Sequence, residues 1–290
     1  MQLSVKAGSA IKFMTKSSAI ISLADWLRTP AGRYLLAWEQ QHLDRAVVDV
    51  FGFHALQLGL PELAALQANR MPHRWLASDS IAAPRVDAAD DPPPASAAIA
   101  LHCDFDALPF DSQSLDLVVL PHTLELARDP HLALHEVERV LRPEGRVVIV
   151  GFNPASLWAL RQRMGHMRRR LGFGVRSPLF LPSEGEFIGY RRLRDWLRLL
   201  SFEVEAGRFG CYRPPVASDK WLARFEWTER AGDRWWPVFG ALYSLTAVKR
   251  VRGMRLVGLA REQRVKSKAA PAVVAHHGNG IHQHIGDNDS

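Results

Sequence analysis

The chain has 290 residues, 47% of them hydrophobic and 23% charged. That is enough to bury a sizeable core, in the balance of a globular protein rather than a fibrous or disordered one. The formal net charge of +7 suits nucleic acid, an anionic membrane or acidic ligands and does not choose among them. The two cysteines, Cys103 and Cys211, are far apart and form no CxxC pair, which argues against a disulfide framework and a metal centre.

Residues 1–21 show no period and read as a flexible N-terminus. They lack the unbroken apolar core of a signal peptide, and no run reaches the roughly 18 apolar residues of a membrane span, so the expectation is a cytoplasmic protein. A helical lead-in follows over 22–52. Thr29 and Pro30 are an N-cap and first-turn pair, and the spacing predicts a helix to about Val48. Leu35, Trp38 and His42 share one face of it, in a cap outside the alternating core.

From 53 to 260 short apolar runs alternate with helical stretches, the pattern of an open, mostly parallel α/β sheet. The strands are HALQLG (54–59), HRWLAS (73–78), AIALHC (98–103), LDLVVL (115–120), RVVIV (146–150), FEVEAGRF (202–209) and LYSLTAVKRV (242–251). LDLVVL and RVVIV are nearly continuous in Val, Ile and Leu, as strands buried on both faces are. Helices are expected from Pro61, from Asp129-Pro130 with Leu134, Val137 and Leu141 on one face, and over about 190–200 with Leu193, Trp196, Leu197 and Leu200 inward. Residues 80–97 are a proline-rich loop. An insertion over 211–240 carries Trp221, Trp227, Trp235 and Trp236, expected to cover the sheet edge. The polar tail, 261–290, reads as disordered despite His276, His277, His282 and His284.

In open α/β sheets ligands meet the carboxyl ends of the strands, which is where Asp104 and Asp106 fall. The stretch CDFDALPFDSQSLDLVVL, with DP…L…E…RVLRPEGRVVI after it, closely resembles the class I S-adenosylmethionine-dependent methyltransferases, in particular the methyltransferase type 11 family. The resemblance is dense over about fifty positions from Cys103 to Pro154. It implies a doubly wound, Rossmann-like sheet of seven strands, the last antiparallel, behind an N-terminal helical cap. It also implies S-adenosylmethionine as cofactor and methyl transfer to an acceptor, most often a small molecule. By position, Asp104 would accept from the adenine amino group, Leu108 would support the ring, and Asp106 would lie beside them. Asp79, 20 residues after Gly59, has the spacing of a ribose carboxylate. His122, just after the fourth strand, would face the methyl group or the substrate and is the catalytic candidate.

The first loop departs from the family. Gln57 stands where an acid is usual, and Gly59 is the first glycine of a Gly-x-Gly-x-Gly pattern whose second and third are missing. Pro61 also removes a backbone N–H. Gln57 or Glu62 would then meet the cofactor's ammonium group by another geometry. The degraded loop keeps open a second reading, a catalytically silent binding or regulatory protein. A third is an enzyme associated with RNA or with an anionic membrane surface. It comes from RQRMGHMRRR (161–170), five arginines and one histidine, otherwise a solvated helix face.

Overall fold

The computed structural model describes residues 23, 25–79, 99–171, 180–181 and 185–250. The flexible terminus expected over 1–21, the proline-rich loop over 80–97 and the histidine-bearing tail over 261–290 lie outside the described residues. Thr29 is extended and its hydroxyl accepts from Gly32 N at 3.2 Å, so helix α1 (Pro30–Val47) starts where its cap residue dictates. Strands β1 (His54–Leu58), β2 (His73–Ser78), β3 (Leu101–His102) and β4 (Leu115–Pro121) follow, then a short helix α2 (Thr123–Leu126). Next are α3 (Pro130–Val140), β5 (Leu141–Phe152), α4 (Leu157–Arg170), α5 (Tyr190–Leu199) and β6 (Phe202–Gly210). The chain returns through α6 (Asp219–Arg224), α7 (Trp227–Trp235) and a 3-10 turn (Pro237–Phe239) to β7 (Leu242–Lys249).

The seven strands form one sheet in the order β3-β2-β1-β4-β5-β7-β6, with β7 antiparallel to both its neighbours. This is the sheet the sequence pattern and the resemblance imply. Neighbouring residues of the central strands point to opposite faces, and both faces are covered. Leu56, Val118, Leu120 and Ile149 pack with Leu134, Val137 and Val140 of α3 and Leu193 and Leu197 of α5. Ala55, Leu117, Val119 and Val148 pack with Leu35, Leu43 and Val47 of α1. Asp129 caps α3 by accepting from His131 N and Leu132 N. The first and fourth strands are locked at their entry by Asp116, which accepts from Phe53 N and His54 N and pairs with Arg142.

Three expectations are corrected. First, α1 is a full layer of the core and not a cap outside it. Its buried face is the i, i+4 ladder Leu35, Glu39, Leu43, Val47, while Trp38 and His42 stack on each other along its flank. Second, no helix opens at Pro61, and residues 61–68 are turns. The carbonyls of Leu60 and Leu63 both accept from the Gln57 side chain, and Leu60 O also accepts from Leu63 N at 3.1 Å, closing a turn in place of a helical ladder. Third, the tryptophans of the insertion do not cover the sheet edge: Trp221, Trp227, Trp235 and Trp236 are 49–72% exposed. The place beside Gly210 is filled by Trp38 of α1, which comes so close that a Cβ on Gly210 would strike its ring. The insertion buries Leu222 instead and is tied to α1 by Arg33–Asp219 and Tyr34–Glu229.

Leu43 has no exposed surface. Leu43→Ala should therefore cost about 2–5 kcal/mol in urea unfolding, with one cooperative transition. A separate early transition would show α1 to be a detachable cap.

Candidate functional site

The order of the strands reverses between β1 and β4, and at their carboxyl ends four loops converge. Gly59 ends β1 with φ +78°, a conformation that favours glycine, and its N–H donates to Ala77 O at 2.7 Å. A Cβ there would have Thr123 Oγ1 at 3.6 Å and the Phe105 ring at 3.7 Å. Gly59 thus meets the loop after β3 and the turn after β4. Leu60 follows with φ +49°, a left-handed residue where most side chains are strained.

Gln57 explains how this loop holds its shape without its other glycines. The side chain is buried, and its amide nitrogen reaches Gly59 O at 3.1 Å, Leu60 O at 3.0 Å and Leu63 O at 2.8 Å. Its carbonyl oxygen accepts from Ala65 N at 3.0 Å. An ionised acid has no hydrogen to donate to these carbonyls, whereas an amide both donates and accepts.

Asp79 follows directly on β2, and Asp104 and Asp106 follow β3. Asp104 is exposed, Asp79 and Asp106 are half-buried, and Leu108 is buried. Burial, then the charges of Asp104 and Asp79, push the Cys103 thiol up to about 11, so the two carboxylates act on one locus. The loop carrying Leu108 is pinned by α3. Leu108 N donates to Glu136 Oε2 at 3.0 Å, and Arg139 donates to Leu108 O and Phe110 O, both at 2.9 Å. The Arg139 hydrogen bond in turn holds the Glu136 carboxyl below its usual range. These two residues lie within the stretch that carries the family likeness, where sequence reading gave them no role.

His122 leads out of β4 with φ +55° and is almost wholly buried. Its Nε2 lies 2.8 Å from Glu39 Oε1 and its Nδ1 2.7 Å from Glu125 Oε2. Burial pulls the imidazole pKa down, but Glu39 and Glu125 more than offset this and hold it up at about 10. The imidazolium donates from both nitrogens, so neither is open to a ligand in this arrangement. Glu125 Oε1 also accepts from Phe152 N at 2.6 Å, at the end of β5. Burial raises the Glu125 pKa, against the lowering effect of His122. Both carboxylates were missed from sequence. The available signal for Glu39 was its place on the Leu35–Leu43–Val47 ladder, where a charge needs a partner.

Asn153 spends its side chain on Val238 O, Gly240 O and Ala155 N. These bonds tie the turn after β5 to the segment before β7. Among the described residues no group of three or more His, Cys, Asp or Glu side chains is arranged to hold a metal ion.

Residues 65–149 match a family described as a methyltransferase domain. The match starts beyond Gly59 and so leaves out the altered loop. The chain is 35% identical over 187 residues to the uncharacterized protein YafS of Escherichia coli (strain K12), covering 63% of this chain and 67% of that one. It is 37% identical over 54 residues to a demethylmenaquinone methyltransferase of Chlamydia pneumoniae, of whose length it spans only 24%. Among solved structures, a putative methyltransferase from Haloferax volcanii, in complex with the Trm112 methyltransferase activator, superposes with a TM-score of 0.52 at 16% identity. That superposition covers 80% of this chain and 97% of that one, and it shows a shared fold.

The buried imidazole makes stability depend on pH with a definite sign. His122 has its folded pKa, about 10, above the ordinary imidazole value of 6.5. Its contribution is complete below about pH 6.5 and lost as pH rises toward 10. Thermal unfolding should therefore occur at falling temperature from pH 7 to pH 10, and His122→Gln should flatten that slope. An unchanged slope in the variant would assign the effect elsewhere.

Proposed function

Because this chain belongs to the class I S-adenosylmethionine-dependent methyltransferases, we propose that it transfers the cofactor's methyl group to a small-molecule acceptor at the carboxyl ends of β1 to β4. The observation that carries this reading is the meeting of Gly59, the Asp79 and Asp104 carboxylates and the Leu108 loop at one place, the crevice where strand order reverses.

The donor set suits the cofactor. Asp104, an exposed acceptor at a strand end, would take the adenine N–H groups, and Asp79 would take the ribose hydroxyls. Leu108 would lie against the ring, with Asp106 at its edge. Gly59 takes a left-handed turn, φ +78°, that glycine adopts freely, with its Cβ position against Thr123 and Phe105. Gln57 serves the methionine half through the loop it shapes, since its amide is engaged with Gly59, Leu60, Leu63 and Ala65. The bound cofactor supplies a methyl group activated on a sulfonium.

What remains for the protein is alignment. In-line displacement depends on holding the acceptor behind that methyl group. A base is needed only where the acceptor must lose a proton. His122, held protonated by Glu39 and Glu125, does not accept a proton near neutral pH. It acts as a positioning residue: it fixes α1 and the end of β5 around the turn after β4.

Titration calorimetry with S-adenosylmethionine and S-adenosylhomocysteine tests the reading. Micromolar binding is expected, weakened about tenfold, or 1.4 kcal/mol, by Asp104→Ala. Arg139→Ala should weaken binding too, without touching the ligand, because the Leu108 loop loses its anchor. Absence of binding by folded protein, with either ligand, would overturn the assignment.

A further inference from the structure

Helix α4 carries an apolar stripe on its outer side. Trp158, Ala159 and Gln162 face inward and are buried. Trp158 Nε1 donates to Arg213 O at 2.7 Å, and Gln162 exchanges two hydrogen bonds with the backbone of Leu181. On the opposite side Leu157, Leu160, Met164, Met167 and Leu171 are each 50–65% exposed. Their spacing alternates by three and four. At about 100° per residue they fall within an arc of about 80°, directly away from the buried side.

Arginines border this stripe on both edges: Arg161 and Arg168 on one, Arg163 and Arg170 on the other, all exposed. The helix contains no acidic residue. An apolar stripe of this period could seat a second copy of the chain as a coiled coil. The flanking positions, which set partner choice there, would then bring arginine against arginine. The charge excludes that occupant and suits an anionic one. Long arginine side chains beside an apolar stripe can bury their stems and keep their charge at a headgroup layer. The neighbouring segment agrees with this. Arg161 contacts Pro215 O, in the stretch leading to α6, and beyond it the exposed Trp221, Trp227, Trp235 and Trp236 are residues favoured at such boundaries. Among the described residues no helix is long and apolar enough to cross a membrane, so contact through α4 would be peripheral.

We propose that the outer face of α4 docks on the surface of a bilayer containing anionic phospholipid, its Leu/Met stripe in the interface and its arginines on the headgroups. The stripe supplies apolar area and the arginines supply charge, so binding should require both. This inference stands on α4 alone and does not depend on the methyl-transfer reading.

The test is sedimentation of the full chain with vesicles of phosphatidylcholine containing phosphatidylglycerol, against phosphatidylcholine alone. Binding is expected only to the anionic vesicles, falling as salt rises. Met164→Asp with Met167→Asp should abolish it. Arg163→Gln with Arg168→Gln should weaken it at least about tenfold. Circular dichroism melts confirm that each variant is folded, and all four positions face solvent. Absence of binding would overturn the proposal. So would binding that survives the aspartate pair, since the attraction would then be charge alone, as for nucleic acid. A wild-type dimer in sedimentation velocity that the aspartate pair dissociates would give the stripe to a second copy and overturn it equally.

Discussion

One imidazolium between two carboxylates ties together the end of the sheet where ligands are met. Glu39 comes from α1, Glu125 from the short helix after β4, and the Glu125 carboxylate continues to Phe152 N at the end of β5. None of the three has more than a trace of exposed surface. Such a cluster is poor value as a stabiliser, because taking charges out of water offsets most of their attraction. Its strength is directional. Removing any one member leaves a buried charge without its complement, which is far more costly than the intact cluster is favourable. Alternatives in which α1 is rotated or shifted are therefore penalised, and the left-handed turn at His122 is held by its side chain on both sides.

Gln57 works in the same way on the other side of the crevice. A glycine-rich loop holds close to its ligand because its backbone can take conformations that other residues avoid. Here one glycine is kept and the remaining shape is imposed by a buried amide that binds three carbonyls and one N–H. The left-handed Leu60 and the N–H-less Pro61 are tolerable because their neighbours are fixed by Gln57 rather than by a helix.

The sheet was legible in the sequence because burial on both faces writes itself as unbroken Val, Ile and Leu in the fourth and fifth strands, and because capping residues such as Thr29 and Asp129 act locally. What was illegible depended on side chains remote in sequence. Glu39 looks like a surface residue until His122 is known to sit against it. Pro61 looks like a helix start until Gln57 is seen to hold the carbonyls of Leu60 and Leu63 in a turn. Trp38 and the tryptophans of 221–236 have the same local character, and the chain chose Trp38 for the edge beside Gly210. Asp79 and Asp104 follow closely on β2 and β3, and strand ends were readable; the roles expected of Asp104 and Leu108 came from the family resemblance.

Helix α4 shows where composition misleads. Its arginines make the segment look like a solvated face, and on average it is polar. The solvated face and the apolar face are nonetheless the same face. Core packing does not account for this, since the core takes Trp158, Ala159 and a glutamine whose polar atoms must then be satisfied by Leu181. Solubility does not account for it either, because each exposed Leu or Met carries apolar area whose burial would be favourable at about 25 cal/mol per Å². The helix starts only a short turn after β5 ends, and Ser156 and Asn153 fix that turn. The apolar stripe therefore begins at the same end of the sheet as the carboxyl ends of β1 to β4.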